Sequence, residues 1–409
     1  MVYDVIVPRF CLDMSLLGTE KHLLVADGSF QWCDNVPKDT WHLNGHVKDH
    51  SDWCLDTVLR LSGKPIDLSP PKRFVQAMSI MSGSLVDTPI PWRSVMPARE
   101  HQGFTKQLIG RVEEAMADSP LNYYKDAWVP SNGVFRALRL ACVDTKARQE
   151  ILDKGEGNIP AVRSFEPDEN NFAPRVCYNR FRTLTGRLTV ESGPQILTLK
   201  REHRGIIKSF YGDKGTIVAL DFAALEARVL LYEYGRKCDD VDLYGMIAKE
   251  LGQDRKAVKG AVISELYGSS KYALGKVLGI EGKELNEFVG RIKTYFNTED
   301  LLKRVKAQFV STGYVINRYG RPIKIDEPLD HVMINYYSQS TGADVALLGF
   351  KQVIDTLAKR AGRVRPIYLL HDALILDAYN DDLGEVAGIK YVKVKGYVQK
   401  FPLRYERLT

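Results

Sequence analysis

The sequence predicts an α+β fold, because short apolar strands and longer amphipathic helices occupy separate stretches of the chain. Residues 216–229 begin with an apolar, β-branched run that is typical of a buried strand, and a helical pattern follows. Residues 367–377 contain two short apolar segments separated by a bend, which predicts a pair of strands. Residues 98–117 and 134–154 interleave basic and apolar side chains and are predicted to be helical.

Composition sets the outer limits. The chain has 409 residues, of which 44% are hydrophobic, so it can bury a sizeable core and form two or three subdomains. The net charge of +6 is compatible with a nucleic-acid groove. The six cysteines include no Cys-x-x-Cys pair, which argues against a disulfide framework. No signal segment begins the sequence, and no apolar run approaches the ~20 residues that span a bilayer.

Asp221 stands where the predicted strand ends and the helical pattern begins. A buried carboxylate is costly unless a partner such as a metal ion compensates its charge. The competing interpretation is that Asp221 caps a helix beginning at Ala223, since aspartate is favoured at that position. The residue alone does not decide between a metal ligand and a helix cap.

A stripe of side chains at four-residue spacing follows. Arg255, Lys259, Ile263 and Tyr267 would lie on one face of a helix that ends at Gly268. Two cations and an aromatic ring on one face suit a ligand that carries both an anionic group and an aromatic nucleobase. The alternative is an ordinary solvated helix face.

The order of these features resembles motifs A, B and C of the family A DNA polymerases. A strand-end Asp comes first, then Arg-x-x-x-Lys with Tyr-Gly eight residues after the Lys, then His-Asp in a hairpin. Thr-Gly-Arg-Leu before the first motif and Asn-x-x-x-Gln after the second extend the match, which covers residues 177–382. The resemblance implies a right-hand polymerase fold with an antiparallel-sheet palm, helical fingers and a helical thumb.

The resemblance also implies a division of the chain. The expected parts are an N-terminal region without an assigned role (1–66), a thumb (67–176), the first part of the palm with motif A (177–234), fingers with motif B (235–330), and the second part of the palm with motif C (331–409).

The implied reaction is template-directed 5′→3′ extension of a primer with dNTPs by two-metal nucleotidyl transfer. Asp221 and Asp372 would bind two Mg²⁺ ions, with Mn²⁺ as a substitute, and the backbone carbonyl of Phe222 would complete one coordination shell. Lys259 would neutralise charge on the leaving group and donate a proton to it.

The resemblance assigns further residues to the incoming nucleotide. Arg255 would clamp the γ-phosphate, and Tyr244 would donate a hydrogen bond to the phosphates. Glu226 would be the steric gate that fills the space of a ribose 2′-hydroxyl. Ile263 would lie beside the sugar, and Tyr267 would stack on the templating base pair.

Primer–template DNA is the implied macromolecular partner. Arg187 of the Thr-Gly-Arg-Leu segment would reach the minor groove at the primer terminus, where every correct pair presents an acceptor. Asn335 and Gln339 would contact the minor groove near the same end, and His371 would hold the terminal phosphate of the primer.

Four positions depart from the family pattern. Tyr244 replaces a His, Ile263 replaces an aromatic residue, His331 replaces an Arg, and Ala373 replaces a Glu. These departures support an alternative interpretation, in which the protein is a catalytically degenerate paralogue that binds primer–template without extending it. A single-subunit RNA polymerase shares several of the motifs, but Glu226 and the Thr-Gly-Arg-Leu segment favour DNA.

Residues 1–186 contain no Asp-x-Glu, the first motif of the family's proofreading exonuclease, so we expect no 3′→5′ exonuclease activity. A separate exonuclease, helicase or processivity factor would then act with the protein. The compact chain suggests phage or mobile-element replication in the cytoplasm of a bacterial or phage-infected cell. Cys33, His42, His46, His50 and Cys54 are a zinc candidate, although their spacing matches no zinc module and core or surface histidines are favoured.

Overall fold

The computed structural model describes most of the chain from Lys72 onward and four strand segments before it. The described residues are 2–6, 22–26, 29–33, 41–42, 72–82, 94–117, 120–155, 159–238, 240–267, 271–360 and 362–408. The chain divides into two compact units, Met1–Asn132 and Gly133–Thr409.

The first unit contains a four-stranded sheet with the order β3-β2-β1-β4. Its strands are β1 (Val2–Ile6), β2 (His22–Ala26), β3 (Ser29–Cys33) and β4 (Trp41–His42). The first three strands are antiparallel neighbours, and β4 runs parallel to β1. No motif in the sequence predicted this sheet. Of the zinc candidates, Cys33 and His42 lie in β3 and β4, whereas His46, His50 and Cys54 lie outside the described residues.

Helices follow this sheet in the chain. They are α1 (Lys72–Ser82), α2 (Ala98–Ala117), the single turn α3 (Leu121–Tyr123), a π-helical turn (Tyr124–Trp128) and α4 (Val129–Ala137). The predicted helix over residues 98–117 is confirmed. Tyr123, Tyr124 and Trp128 are buried and their rings contact one another.

The predicted helix over residues 134–154 is wrong as a single element. The chain leaves α4 after Ala137, forms β5 (Cys142–Val143), and begins a new helix, α5 (Thr145–Lys154). Two interactions explain the break: β5 pairs with the distant strand β8 (Ile207–Lys208), and the Asp144 carboxylate accepts the backbone N–H of Ala147 at 2.9 Å as a local N-cap. Sheet pairing from a distant segment therefore overrides the helical pattern.

The second unit is built on a five-stranded sheet in which every neighbouring pair is antiparallel. Its order is β12-β13-β9-β15-β14, with β9 (Gly215–Phe222), β12 (Val364–Leu370), β13 (Ala373–Tyr379), β14 (Tyr391–Lys393) and β15 (Lys400–Arg407). The strand from the first predicted region thus pairs with the predicted hairpin. The C-terminal stretch supplies α14 (Leu383–Gly388), β14 and β15.

A long helix, α13 (Asp330–Thr356), covers one face of this sheet. Phe222 packs its ring against Phe350 of α13 and Phe401 of β15, with centroid separations of 5.4 and 6.3 Å. A Cβ at Gly349 would lie only 2.5 Å from the Phe222 ring, so the helix approaches β9 closely because this residue is glycine. Because side chains alternate along a strand, this packing turns Asp221 to the opposite face.

Between β9 and α13 most of the described residues are helical. The helices are α7 (Leu225–Glu233), α8 (Leu243–Leu251), α9 (Arg255–Tyr267), α10 (Lys271–Leu278), α11 (Gly282–Phe296) and α12 (Thr298–Thr312). The four-residue stripe lies on α9, as predicted. A small hairpin, β10 (Val315–Ile316) and β11 (Pro322–Ile323), follows.

The remaining elements are short. They are α6 (Ile159–Arg163), β6 (Cys177–Asn179), which pairs with β7 (Thr189–Ser192), and four 3₁₀ turns at Arg201–Ile206, Gly212–Lys214, Leu357–Arg360 and Asn380–Asp382. Among the helices described, none is long and apolar enough to cross a membrane.

Candidate active site

The two predicted metal-binding carboxylates are brought to one edge of the sheet. Asp221 is the penultimate residue of β9, and its partner in the register of β13 is Ala373, the residue after Asp372. The backbone N–H of Phe222 donates to the carbonyl oxygen of Asp372 at 2.9 Å. Residues about 150 positions apart in sequence are therefore neighbours because β9 pairs with the hairpin.

Asp221 does not cap a helix, so the alternative interpretation is wrong. Helix α7 begins at Leu225, two residues later than that interpretation required, and its first capping position is Ala224. Ala224 adopts left-handed backbone angles, with φ 55° and ψ 50°. Arg228, fully buried on α7, fixes this turn by donating to the carbonyl oxygen of Ala223 at 2.7 Å. The Asp221 carboxylate is left near Asp372, close enough for the two charges to repel each other.

Burial and mutual repulsion destabilise the charged forms of this pair. Burial raises the pKa of Asp221 to about 7; the neighbouring Asp372 charge adds to the rise, and the Arg404 guanidinium opposes it. Burial also raises the pKa of Asp372, while His371 and Arg187 counteract that rise. The positive charges near the two acids therefore offset only part of the effect of burial on their pKa values.

This donor set fits a magnesium-type ion. Carboxylate oxygens are the hard ligands that Mg²⁺ and Mn²⁺ prefer, and Mg²⁺ is commonly held by one or two carboxylates together with water and substrate phosphates. Within the described part of the chain, no group of three or more His, Cys, Asp or Glu side chains could enclose a metal ion. The remaining ligands would have to come from backbone oxygen, water or substrate. The Phe222 carbonyl as a ligand stays a prediction.

A cleft beside the carboxylates collects further predicted residues. Arg187, Glu226, Gln339, His371 and Asp372 all line it. The Arg187 guanidinium forms an ion pair with the Glu226 carboxylate, so the predicted DNA contact and the predicted steric gate touch each other.

The segment around Arg187 depends on its preceding glycine. Gly186 has φ 79°, and a Cβ on it would lie 2.5 Å from the Arg321 guanidinium. Only glycine combines this backbone conformation with so close an approach. The Thr-Gly-Arg-Leu segment therefore has a structural reason for its glycine, independent of any contact with DNA.

His371 occupies the first position of the two-residue turn between β12 and β13, with φ 45°. This left-handed conformation is unfavourable for a residue with a Cβ, and its retention at the cleft is typical of a functional position. Partial desolvation and the Arg187 charge lower the pKa of the imidazole, although Asp372 opposes the shift. At neutral pH we therefore expect an uncharged imidazole that acts through hydrogen bonds.

The stripe on α9 is exposed at its cationic positions. Arg255 and Lys259 are exposed, and Ile263 is 37% exposed. The Arg255 guanidinium holds the Asp242 carboxylate through two nitrogens, Nε to Oδ2 at 2.7 Å and Nη2 to Oδ1 at 2.8 Å. The fork geometry predicted for a phosphate is thus occupied by a protein carboxylate. Tyr267 ends α9, and its side chain lies outside the described residues.

Tyr244 lies within electrostatic reach of Arg255 in the stripe and of Glu226 in the cleft. It lies in the first turn of α8, two residues after Asp242. Burial raises the pKa of its phenol, and the Glu226 carboxylate adds to the rise. The hydroxyl is therefore a neutral hydrogen-bond donor at every physiological pH.

Helix α13 carries the remaining predicted DNA contacts. Gln339 lines the cleft, and Asn335 lies one turn before it and is half-buried. The Asn335 Oδ1 atom is enclosed and has no hydrogen-bond partner among the described residues. His331, in the first turn of α13, is exposed.

Two residues near the site escaped the sequence analysis. Arg404 on β15 pairs in register with Asp221, and Asp242 pairs with Arg255. Arg404 belongs to no motif, and Asp242 begins the Asp-Leu-Tyr segment that contains Tyr244, but no role was assigned to either residue. In β15 the three consecutive residues Phe401, Pro402 and Leu403 are buried and Arg404 is exposed, and only the sheet register places that strand beside β9.

Residues 169–404, more than half of the chain, match the model of DNA polymerase family A. DNA polymerase I of Pseudomonas aeruginosa is 25% identical over 51% of this chain and 26% of its own length. The DNA polymerase of Mycobacterium phage L5 is 28% identical over 41% of this chain and 29% of its length.

A third relative, the thermostable DNA polymerase I of Thermus filiformis, is 25% identical over 56% of this chain and 31% of its own length. The match with each of these three relatives thus spans less than a third of the relative's length. Among solved structures, the POL domain of Pol1 from M. smegmatis, in complex with DNA primer-template and dNTP, gives a TM-score of 0.47 at 16% identity, covering 87% of this chain and 63% of that one.

The family match spans β9, α9 and the β12–β13 hairpin, the elements that carry the three resembling motifs. Together with the mixed helices and antiparallel sheet, it confirms the predicted α+β, right-hand polymerase fold. The chain belongs to DNA polymerase family A.

Proposed function

We propose that this protein is a DNA-directed DNA polymerase that extends a primer 5′→3′ with dNTPs on a DNA template. One observation carries the proposal: Asp221 and Asp372 converge on the edge of one sheet, and Asp372 lines a cleft with Arg187, Glu226 and Gln339. Paired carboxylates with raised pKa values beside a cleft are the arrangement expected where metal ions assist nucleotidyl transfer.

Asp221 and Asp372 would hold two divalent ions, Mg²⁺ in the first place, together with the Phe222 carbonyl. Bound there, such ions would activate the primer 3′-hydroxyl and stabilise the leaving pyrophosphate. The two side chains fix where the reacting oxygens meet, and the partly buried sheet edge limits the access of competing water.

The cations of α9 would act on the triphosphate. Arg255 would exchange the Asp242 carboxylate for the γ-phosphate, since both present oxygens to its fork. Lys259 is exposed and can reach a ligand beside the helix, where it would donate a proton to the leaving pyrophosphate. Tyr244 would donate a hydrogen bond to the phosphates, and Ile263 would give apolar contact with the sugar.

The gate and the DNA contacts would work together. Glu226 would fill the space that a ribose 2′-hydroxyl needs, which favours deoxynucleotides. Primer–template DNA would offer minor-groove acceptors to Arg187, which the structure pairs with Glu226. Asn335 and Gln339 would contact the same groove, His371 the terminal phosphate of the primer, and Tyr267 the templating pair.

The remaining assignments follow the same proposal. Residues 67–176 would form the thumb, 177–234 and 331–409 the palm, and 235–330 the fingers. Because residues 1–186 hold no Asp-x-Glu, we expect no 3′→5′ exonuclease activity from them, and a separate exonuclease, helicase or processivity factor would act with this protein. Degradation of mismatched primers by the pure protein would contradict the expected absence of exonuclease activity. The proposed role is the replication of phage or mobile-element DNA.

Primer extension tests the central claim. The wild-type protein with Mg²⁺, dNTPs and a primer–template should lengthen the primer, and Asp221→Asn and Asp372→Asn should each slow extension by about 10²–10³-fold or more, as expected when one electrostatic stabiliser of the transition state is removed. Asp381→Asn is the matched control, because its side chain is 77% exposed and lies at the far end of β13. Equal extension by all three variants would refute the metal-ligand roles.

The primer-extension assay also distinguishes the proposed DNA polymerase from the two alternative functions. Primer-independent incorporation of rNTPs would favour a single-subunit RNA polymerase. Tight binding of primer–template without extension in Mg²⁺ or Mn²⁺ would favour a degenerate paralogue, the class that Tyr244, Ile263, His331 and Ala373 motivate.

Lys259→Ala isolates the chemical step. We expect the rate of nucleotide addition to fall by about 10²–10⁴-fold, the range of general acid catalysis, while primer–template affinity stays nearly unchanged. Lys283→Ala is the control, since that lysine is 92% exposed on α11. An unchanged rate in Lys259→Ala would contradict the assigned role.

A further inference from the structure

A single row of the five-stranded sheet crosses the candidate site. Ala373 on β13, Asp221 on β9 and Arg404 on β15 are register partners, and directly opposed residues in an antiparallel sheet point to the same face. Asp221 therefore presents a carboxylate between two neighbours on the same face: Ala373, which has no side-chain atom beyond Cβ, and Arg404, which carries a guanidinium. Arg404 is exposed, so its donors can reach a bound ligand.

The Arg404 guanidinium turns toward the segment that holds Arg255. Its Nη2 atom lies 3.4 Å from the carbonyl oxygen of Val241, and the next residue, Asp242, binds the Arg255 guanidinium. Two arginines from different elements thus contact neighbouring residues: Arg404 of β15 approaches Val241, and Arg255 of α9 binds Asp242. The register of β15 places Arg404 beside Asp221, and its contact with Val241 places it beside the residue that precedes Asp242.

Two cations flanking a carboxylate site are suited to an extended polyanion. A guanidinium presents a planar fork that matches phosphate oxygens, and two such forks can hold neighbouring phosphates of one chain. We propose that Arg404 is a nucleotide-binding residue that contacts the β- and γ-phosphates of the incoming nucleotide between Asp221 and Arg255. This inference rests on the proposed polymerase function and adds a residue to that site.

The charge that Arg404 carries has a second consequence. Without nucleotide, a cation beside Asp221 disfavours a divalent ion at the same carboxylate. A bound triphosphate brings its own negative charge, which would attract both the metal ion and Arg404. Arg404 should therefore oppose metal binding in the absence of nucleotide and support nucleotide binding in its presence. A residue that only neutralised Asp221 would show the first effect and not the second.

The test measures nucleotide affinity without turnover. The Kd of Mg²⁺-dATP is determined for the full chain on a primer–template that ends in a dideoxynucleotide, and the Kd of Mg²⁺ alone is determined without nucleotide. In Arg404→Ala we expect the dATP Kd to rise by about tenfold or more, the scale of a charged hydrogen bond. The Mg²⁺ Kd should fall, and Arg404→Lys should recover part of the dATP affinity.

Arg407→Ala is the matched control, because Arg407 is an exposed arginine of the same strand that is paired with Val218, away from Asp221. Its dATP Kd should equal that of the wild type, and the melting temperatures of all variants should agree. A dATP Kd in Arg404→Ala within twofold of wild type overturns the inference, as does a loss that Arg407→Ala reproduces. Primer extension, run in parallel, separates this result from the polymerase activity: a wild-type protein that binds dATP through Arg404 without extending a primer refutes the proposed function alone.

Discussion

Replacing Asp221 with Asn is expected to stabilise the metal-free protein at about pH 8 and to leave its stability at about pH 4 unchanged. The folded state raises the pKa of this carboxyl from 3.8 to about 7, chiefly by burial. The unfolded chain therefore ionises first as pH rises. The contribution of this group to stability is complete below the unfolded pKa and is lost as pH rises through the folded pKa.

The size of the effect follows from the shift. The difference between 3.8 and about 7 is about 3 pKa units, and at 1.36 kcal/mol per unit its upper bound is about 4 kcal/mol. Asp221 is only partly buried, so water screens much of that penalty. We expect Asp221→Asn to raise the free energy of unfolding by about 1–2 kcal/mol at alkaline pH, since the amide keeps the shape and removes the charge.

The assay is urea unfolding in EDTA at several pH values between about 4 and 8, with Asp381→Asn as the exposed control. Adding Mg²⁺ at about pH 8 should stabilise the wild type by mass action and should have little effect on Asp221→Asn. A variant that is less stable than the wild type at alkaline pH in EDTA would refute the reasoning. So would a gain of the same size at both ends of the pH range.

Three further substitutions test the surroundings of the site. Ala224→Gly should raise the free energy of unfolding by about 0.5–1 kcal/mol, because glycine relieves the left-handed φ of 55° at a smaller entropic cost; a loss of stability in urea unfolding would contradict this. Gly186→Ala should lower it by about 1–3 kcal/mol, because φ is 79° and the new Cβ would meet Arg321; an unchanged urea midpoint would argue against that contact. Glu226→Ala should lower the ratio of kcat/KM for dATP to that for ATP by about 10–200-fold, the range of a steric contact, and an unchanged ratio would exclude the gate.

Local sequence patterns were sufficient for several elements. The apolar runs around Asp221 and His371 predicted β9 and the β12–β13 hairpin, and the four-residue stripe predicted α9. In each case hydrophobic period and length distinguish strand from helix without knowledge of distant residues. The interrupted helix at residues 134–154 shows the limit, because β5 exists only through its pairing with β8.

The candidate site was predicted in part. Motif order indicated that Asp221 and Asp372 belong together, and the structure makes them neighbours. Nothing local indicated that Arg187 would meet Glu226 or that Asp242 would hold Arg255. These contacts depend on the side-chain direction of separate elements, which no short segment of sequence determines.

The sequence by itself determined which residues could do chemistry and the type of element that carries each one, because side-chain type and hydrophobic period are local properties. Only the tertiary structure decided which of them meet. Arg404 became a neighbour of Asp221 through the register of β15 against β9, and a shift of one residue would turn its side chain to the other face. That register is fixed by packing over the whole sheet, including the contact of Gly349 with Phe222, and is therefore a property of the folded chain.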